Sequence, residues 1–417
     1  MGASNPVNEG GSPIRLAAIE HARTLLNGVT ACTPIETSAS LSALAGATVF
    51  LKCENLQRTG SFKLRGAFTR LAALGDAERE RGVIAASAGN HAQGVAFAAR
   101  ELGIGCIVYM PVGAALPKIT ATRGYGAEVR LAGEDLAESI DLAKAEAATN
   151  GYIFIPPFDH PDIITGQATL GLEILEQVPD VATIIVPTGG GGLLAGVASA
   201  VHLSGSRARV IGVQAEGAAA FPESLAQGRP VRLARMSTLA DGIAVPEPSE
   251  LTLGIVREHV AEIRTVSEEQ IGEAMLFLNE RAKLVVEPSG AAGVAALLDG
   301  AHGLEEPIVV VLSGGNVDTL VLNRVLQHGL VAAGRFMQMI VRVADRPGSL
   351  VKFLTALAET ECNVVSVEHD RTSSGLAATE VQIGVKVEAK GQEHKVEIVS
   401  ELQRLGYEVA FPALDMA

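Results

Sequence analysis

"TIIVPTGGGGLLAGVASAVHLSG", residues 183–205, runs from an apolar segment through four successive glycines into a helical pattern. The β-branched run TIIVP has the composition of a strand buried on both faces, and the residues after the glycines have helical spacing. A buried strand turning through a Gly-rich loop into a helix is the unit from which helix-covered parallel sheets are built. The loop also has a chemistry of its own. Backbone N–H groups exposed at a helix N-terminus bind phosphate without any cationic side chain. No lysine follows Gly189 to Gly192, so this is not the nucleotide P-loop. Gly190, Gly192 and Ala195, with Glu216 further on, fit the permissive dinucleotide pattern, but that fingerprint opens its own fold and this loop lies deep in the chain. The bland alternative is a close helix–strand crossing that needs small residues. Four consecutive glycines favour phosphate binding over such a crossing.

Working outward, the unit recurs. VIAAS (83–87) leads into NHAQGVAFAARELG, CIVYMP (106–111) precedes PKITATRGYG, and AEVRLAG (127–133) precedes EDLAESIDLAKAEAA. RVIGVQAE (209–216) follows the glycine loop, and IVVVLSGGN (308–316) reads as one more buried strand ending in a Gly-rich turn. Strand-then-helix repeats predict a parallel sheet covered on both faces. The character changes near LVAAGR (330–335). Beyond it the order is strand (MQMIVRVA), helix (GSLVKFLTALAET), strand (NVVSVEHDR), strand (AATEVQIGVKV), helix (GQEHKVEIVSELQRLG) and strand (YEVAF). That is the βαββαβ plan of a small antiparallel sheet backed by two helices. The expected division is a disordered tail over 1–14, a catalytic domain over 15–328, a linker over 329–335 and a second domain over 336–417.

Bulk properties agree with this plan. The chain has 417 residues, 48% hydrophobic, with 45 glycines, 4% aromatics and no Trp, and its mean hydropathy is +0.29. This is enough for more than one core, and the Ala, Val, Ile, Leu and Gly bias suits buried parallel strands. A formal charge of -14 argues against nucleic acid or an anionic membrane as partner. Cys32, Cys53, Cys106 and Cys362 lie at neither metal-ligand nor redox-motif spacing, as expected of reduced thiols. MGASNP opens like a myristoylation site but has Pro6 where Ser or Thr is required. With no signal-peptide pattern and no apolar run of membrane-spanning length, a soluble cytoplasmic protein is expected.

Chemistry is expected where four unusual loops converge beyond the carboxyl ends of strands: TGSFKLRGA (59–67), SAGNHAQG (87–94), PTGGGGLLAG (187–196) and SGGN (313–316). Lys63 could form a Schiff base with an aldehyde if its amine loses its proton near neutral pH, and Phe62 with its apolar neighbours could supply the desolvation. Alone, Lys63 reads first as a solvated helix lysine paired with Glu54 or another acid. A phosphate cradle alters that balance, because a phosphate-bearing aldehyde needs both an anion site and a reactive amine. Ser87, Asn90 and the helix N-terminal amides suit a carboxylate, or else Ser87 or Asn90 is an N-cap. His91 by itself reads as a packed imidazole. Ser313 could meet a pyridine nitrogen or satisfy the glycine turn after it.

In this order the four loops resemble the fold-type II pyridoxal-phosphate enzymes of the threonine/serine dehydratase family, over residues 30 to 330. The resemblance implies an α/β catalytic domain like the β-subunit of tryptophan synthase, with two parallel-sheet lobes. It implies that Lys63 holds pyridoxal 5'-phosphate through a Schiff base, that Phe62 packs near the ring, and that Asn90 hydrogen-bonds the phenolic oxygen. Gly189, Gly190, Gly191, Gly192 and Leu193 would hold the phosphate, and Ser313 would meet the pyridine nitrogen. Ser87, Ala88, Asn90 and His91 would surround the substrate carboxylate, with Gly242 of ADGIAV on the other side of the ring. A hydroxyl beside the pyridine nitrogen leaves it largely unprotonated, which weakens the electron sink and favours β-elimination. The implied reaction converts L-threonine to 2-oxobutanoate and ammonia, and L-serine to pyruvate, with freed Lys63 taking the α-proton.

Two positions bear on alternatives. Racemases of this family place a second base, a serine, where this chain has Ala88, which has no acid–base chemistry. Members with a divalent metal use carboxylates in the region matching QAEGAAAFPES; Glu216 is present, but Pro222 stands where a second acid belongs, so no metal is expected. The tail resembles an ACT domain, a ferredoxin-like module that binds amino acids. Its DRPGSL turn, with Gly348 and Leu350, and nearby Asn363 would form a regulatory site, unless the domain serves only to dimerise. A homo-oligomer, tetramer or dimer, is implied. Competing expectations are a serine-preferring dehydratase or racemase, a β-replacement enzyme, and a non-catalytic amino-acid sensor.

Overall fold

The computed structural model describes residues 14–332, 334–371, 376–377 and 379–411. The chain forms two compact units, Met1–Leu322 and Asn323–Ala417. Their boundary falls inside the helix Thr319–Ala332, so the first residues of the expected linker are helical rather than irregular. The expected disordered tail falls on residues outside the description except Ile14, which is buried against the helical core and so belongs to the fold.

In the first unit the strands are β1 (Ile35–Thr37), β2 (Val49–Lys52), β3 (Val83–Ala86), β4 (Cys106–Met110), β5 (Glu128–Leu131), β6 (Ile153–Phe154), β7 (Thr183–Pro187), β8 (Arg209–Ala215), β9 (Glu262–Val266) and β10 (Ile308–Val311). They make two sheets, not one continuous one. The larger has order β1-β2-β10-β7-β8-β9 and the smaller β5-β4-β3-β6. Every pairing is parallel except β1 with β2, an antiparallel edge on the larger sheet. Both lobes therefore keep their parallel cores, and the single antiparallel strand is confined to a margin, where mixed pairing is common. Central strands β3, β7 and β10 are buried along their whole length, as apolar runs without alternation require.

The helix Lys63–Ala72 is held where the lobes meet. Leu64, Ala67, Phe68 and Leu71 follow the i, i+3, i+4, i+7 spacing and are buried in the smaller lobe's core. This helix crosses Pro161–Gln177 at a pair of glycines. A Cβ on Gly166 would lie 2.5 Å from the Arg65 carbonyl oxygen, and one on Gly66 would lie 2.4 Å from Gln167 Nε2. The two backbones thus approach as closely as packing permits, which fixes the start of the helix and with it Lys63.

In the second unit β11 (Phe336–Ala344), β12 (Asn363–Asp370), β13 (Glu380–Glu388) and β14 (Val409–Ala410) form an antiparallel sheet of order β12-β13-β11-β14. Helices Ser349–Glu359 and Gln392–Arg404 cover one face, burying Phe353, Leu357, Ile398 and Leu402 against Met339, Val341, Ile383 and Val385. The alternating burial along β13 is that of a sheet with one covered face. Among the described residues no helix is long and apolar enough to cross a membrane.

Candidate active site

Three sets of contacts bring the four loops together. Phe62 donates its backbone N–H to the Ser313 carbonyl at 3.1 Å, and Ser61 bridges Gly314, so TGSFK and SGGN run side by side. Asn316 Nδ2 donates to Asn90 Oδ1 at 2.8 Å and to the Thr59 carbonyl at 2.7 Å, tying SAGN to both. Lys63 Nζ donates to the Pro157 carbonyl at 3.0 Å. The next residue, Phe158, lies against the glycine loop, where a Cβ on Gly190 would sit 2.4 Å from its ring.

Lys63 is not the solvated, acid-paired lysine of the bland alternative. Glu54 is taken by Arg65, whose Nε and Nη2 donate to it at 2.8 Å each. Burial pushes the Lys63 amine down to about 8, with the Glu287 carboxylate opposing. About a tenth is therefore neutral and nucleophilic at pH 7, against well under a thousandth for a solvated lysine.

The glycine loop ends a buried strand and opens the helix Gly192–Leu203. Gly191 has φ +91, and a Cβ there would meet Phe221 at 2.6 Å, so this position admits only glycine. The cradle offers main-chain N–H groups and the positive end of a helix, the donor set a phosphate monoester needs. Leu193 behind it is buried in the larger lobe's core, against which Phe62 also packs. These features fit pyridoxal phosphate: an anion cradle and a deprotonable amine.

Other predicted residues divide clearly. Ser313 is buried at the end of β10. Ser87 Oγ accepts from Gly89 N–H at 3.1 Å, and neither Ser87 nor Asn90 is the N-cap of the helix Asn90–Leu102; Gly89 is. His91 is buried with Nε2 against the Ile155 carbonyl at 2.9 Å, and burial, with Lys63 nearby, pushes it down to about 3. Its ring is a packed neutral imidazole, so only its main chain is available to a substrate carboxylate. Gly242 lies in the turn Asp241–Ile243, where a Cβ would meet Ser289 Oγ at 2.8 Å. Glu216 is exposed, and Pro222 lies within the helix Ala220–Gln227. In the second unit Gly348 caps the helix Ser349–Glu359 at φ +92, Leu350 packs on that unit's core, and Asn363 Nδ2 donates to Glu388 at 3.2 Å.

The structure adds residues that the sequence did not mark. Glu287 Oε1 accepts from Asn90 Nδ2 at 2.7 Å. Burial raises this carboxyl to about 7, assisted by Asp241 and opposed by the Asn90 hydrogen bond, Lys118 and Lys63. Lys118, on the smaller lobe's helix Leu116–Gly124, donates to Asp241 of the larger lobe at 2.6 Å and so spans the cleft. Beneath Lys63 lies a buried network in which Arg65 joins Glu54 and Glu173, and Lys52 joins Glu173.

Comparison with known proteins agrees with this geometry. The family profile described as pyridoxal-phosphate dependent enzyme matches residues 26–314. The L-threonine ammonia-lyase of Thermotoga maritima is 44% identical over 396 residues, covering 95% of this chain and 99% of its own. The processed form of threonine deaminase isoform 2 from Solanum lycopersicum superposes with a TM-score of 0.71 at 34% identity, over 78% of this chain and 96% of its own. Maize serine racemase superposes with a TM-score of 0.71 at 34% identity, over 76% of this chain and 98% of its own.

Proposed function

The chain belongs to the pyridoxal-phosphate-dependent enzyme family, and from that premise we infer that it deaminates L-threonine by β-elimination, giving 2-oxobutanoate and ammonia. L-Serine, one methyl smaller, would give pyruvate; such a difference discriminates by only about 1–3 kcal/mol. The observation that carries this reading is the Lys63 amine, desolvated to about 8 and held by Pro157 beside the glycine cradle.

When bound, the cofactor supplies the electron sink that acidifies the substrate α-carbon. The chain's residues do the rest. Gly189 to Gly192 and Leu193 hold the phosphate through main-chain N–H groups. Phe62, Asn90 and Ser313 place the ring, with Gly242 opposite. Ser87, Ala88, Asn90 and His91, at the start of a thirteen-residue helix, surround the substrate carboxylate, with the main-chain N–H groups of Ala88, Asn90 and His91 as its donors. Lys63, once free, takes the α-proton; its lowered affinity for protons makes it a usable base near neutral pH. Ala88 offers no second base on the opposite face, which favours elimination over racemisation despite the fold shared with serine racemase.

The second unit has the sheet order and helix placement of an ACT-like module, and we assign it regulation by a free amino acid near Gly348, Leu350 and Asn363 within a homo-oligomer. Purified protein supplied with cofactor and L-threonine should release 2-oxobutanoate. Bound cofactor with no keto acid from threonine or serine would sink the assignment.

A further inference from the structure

We propose that Glu287 is a positioning residue for Asn90: it closes a hydrogen-bond chain, Thr59–Asn316–Asn90–Glu287, that leaves one Asn90 N–H to donate to the cofactor's phenolic oxygen. The inference rests on the proposed contact between Asn90 and that oxygen.

Carboxamide orientation follows here from counting donors and acceptors. The Thr59 carbonyl can only accept, so the end of the Asn316 amide facing it, at 2.7 Å, is Nδ2. The second N–H of that nitrogen reaches Asn90 at 2.8 Å, so the end of Asn90 facing it is Oδ1. The opposite end of Asn90 is therefore Nδ2, and it finds Glu287 Oε1 at 2.7 Å. Glu287 offers an acceptor there whether its carboxyl is ionised or protonated. Asn90 Nδ2 then has one N–H left, without a partner among the described residues.

The surroundings are shaped to this carboxylate. A Cβ on Gly314 would lie 2.3 Å from Glu287 Oε1 and 3.0 Å from Asn90 Nδ2, so the second residue of SGGN must be bare. Glu287 N–H donates to the Gly314 carbonyl at 3.1 Å, which pins the backbone that presents the side chain. The SGGN loop thereby acquires a division of labour: Ser313 ends the strand, Gly314 makes room for Glu287, and Asn316 sets the far end of Asn90.

The test uses the full chain freed of cofactor and titrated with pyridoxine 5'-phosphate, which keeps the phenolic oxygen but has no aldehyde for Lys63. Glu287→Ala and Asn90→Ala should each weaken binding by about tenfold, the loss expected when a buried polar partner is removed. The double variant should bind no worse than Asn90→Ala to within about twofold, because both act through one amide. Glu287→Gln, which keeps an acceptor in one of its two orientations and guards against a folding failure of Glu287→Ala, should lose about threefold, and nothing further in the Asn90→Ala background. Multiplying losses, or wild-type affinity in both Glu287 variants, would overturn the proposal while leaving the role of Asn90 intact. Wild-type affinity in Asn90→Ala would overturn both.

Discussion

The part-buried Lys63 amine donates a hydrogen bond to the Pro157 carbonyl, and desolvation lowers its proton affinity, with Glu287 the opposing charge. Only the neutral amine attacks an aldehyde. Because its pKa is lowered to about 8, the reactive fraction rises as pH rises through that value and levels off above it. The rate at which cofactor-free protein captures pyridoxal phosphate should follow the same curve, measured by stopped-flow absorbance from about pH 6 to about pH 10. A rate still climbing steeply beyond about pH 10, as for a solvated lysine of pKa about 10.4, would show that burial does not tune it. Motif order is what marks Lys63 and Asn90 in the sequence. Glu287 is not marked there, for a physical reason: an acid before Pro at the start of a helix reads as a charge placed to suit the positive helix end, and Glu287 does occupy the N-cap position of Pro288–Ala295, although its side chain makes no cap hydrogen bond there. The one available signal was that PSGAAGVA is buried throughout, so a carboxylate at its head has to find partners inside the protein.

At the scale of elements, the helix Lys63–Ala72 is positioned from below by charge as well as by its glycine crossing. Arg65 is buried and shared between Glu54 and Glu173, and Lys52 joins Glu173, two cations facing two anions. Burial alone would raise the Glu54 carboxyl, but Arg65 and Thr33 hold it below its ordinary value. Removing one member of such a network leaves a buried charge uncompensated, which costs about 3–5 kcal/mol. Arg65→Met should therefore lower the thermal midpoint by on the order of 5 °C or more, read by calorimetry on the holoenzyme. A midpoint unchanged within about a degree would mean the network is dispensable to the fold. The alternation of VFLKCEN hid Lys52, because a lysine at the end of a short strand ordinarily faces solvent, and only the tertiary pairing reveals otherwise. The strand-then-helix units between 83 and 216 and the strand at 308–311, by contrast, were readable, since parallel strands buried on both faces are continuous apolar runs. Strands β1, β2, β6 and β9 were not, because they are short or carry polar residues without a long apolar run. What those runs did not disclose was their partition into two sheets, which depends on pairing between residues far apart in sequence.

For the whole molecule, the two compact units suggest catalysis in one and sensing in the other. If the second unit binds an amino acid near the Gly348 turn, branched-chain amino acids should shift the threonine saturation curve of the intact protein. Gly348→Val should remove that response without altering basal turnover, because φ +92 strains any side chain there and the turn belongs to the second unit. Unchanged saturation curves with isoleucine, valine and leucine would point to an assembly role instead. The central claim, that this chain is a threonine-deaminating lyase working through Lys63, is tested most directly by 2-oxobutanoate release from L-threonine, comparing wild type with Lys63→Ala in the presence of pyridoxal phosphate. The wild type should form keto acid steadily and the variant should lose at least about a thousandfold, the scale of removing a covalent and general-base group. Comparable turnover by the two proteins, or none by a cofactor-loaded wild type, would contradict that claim.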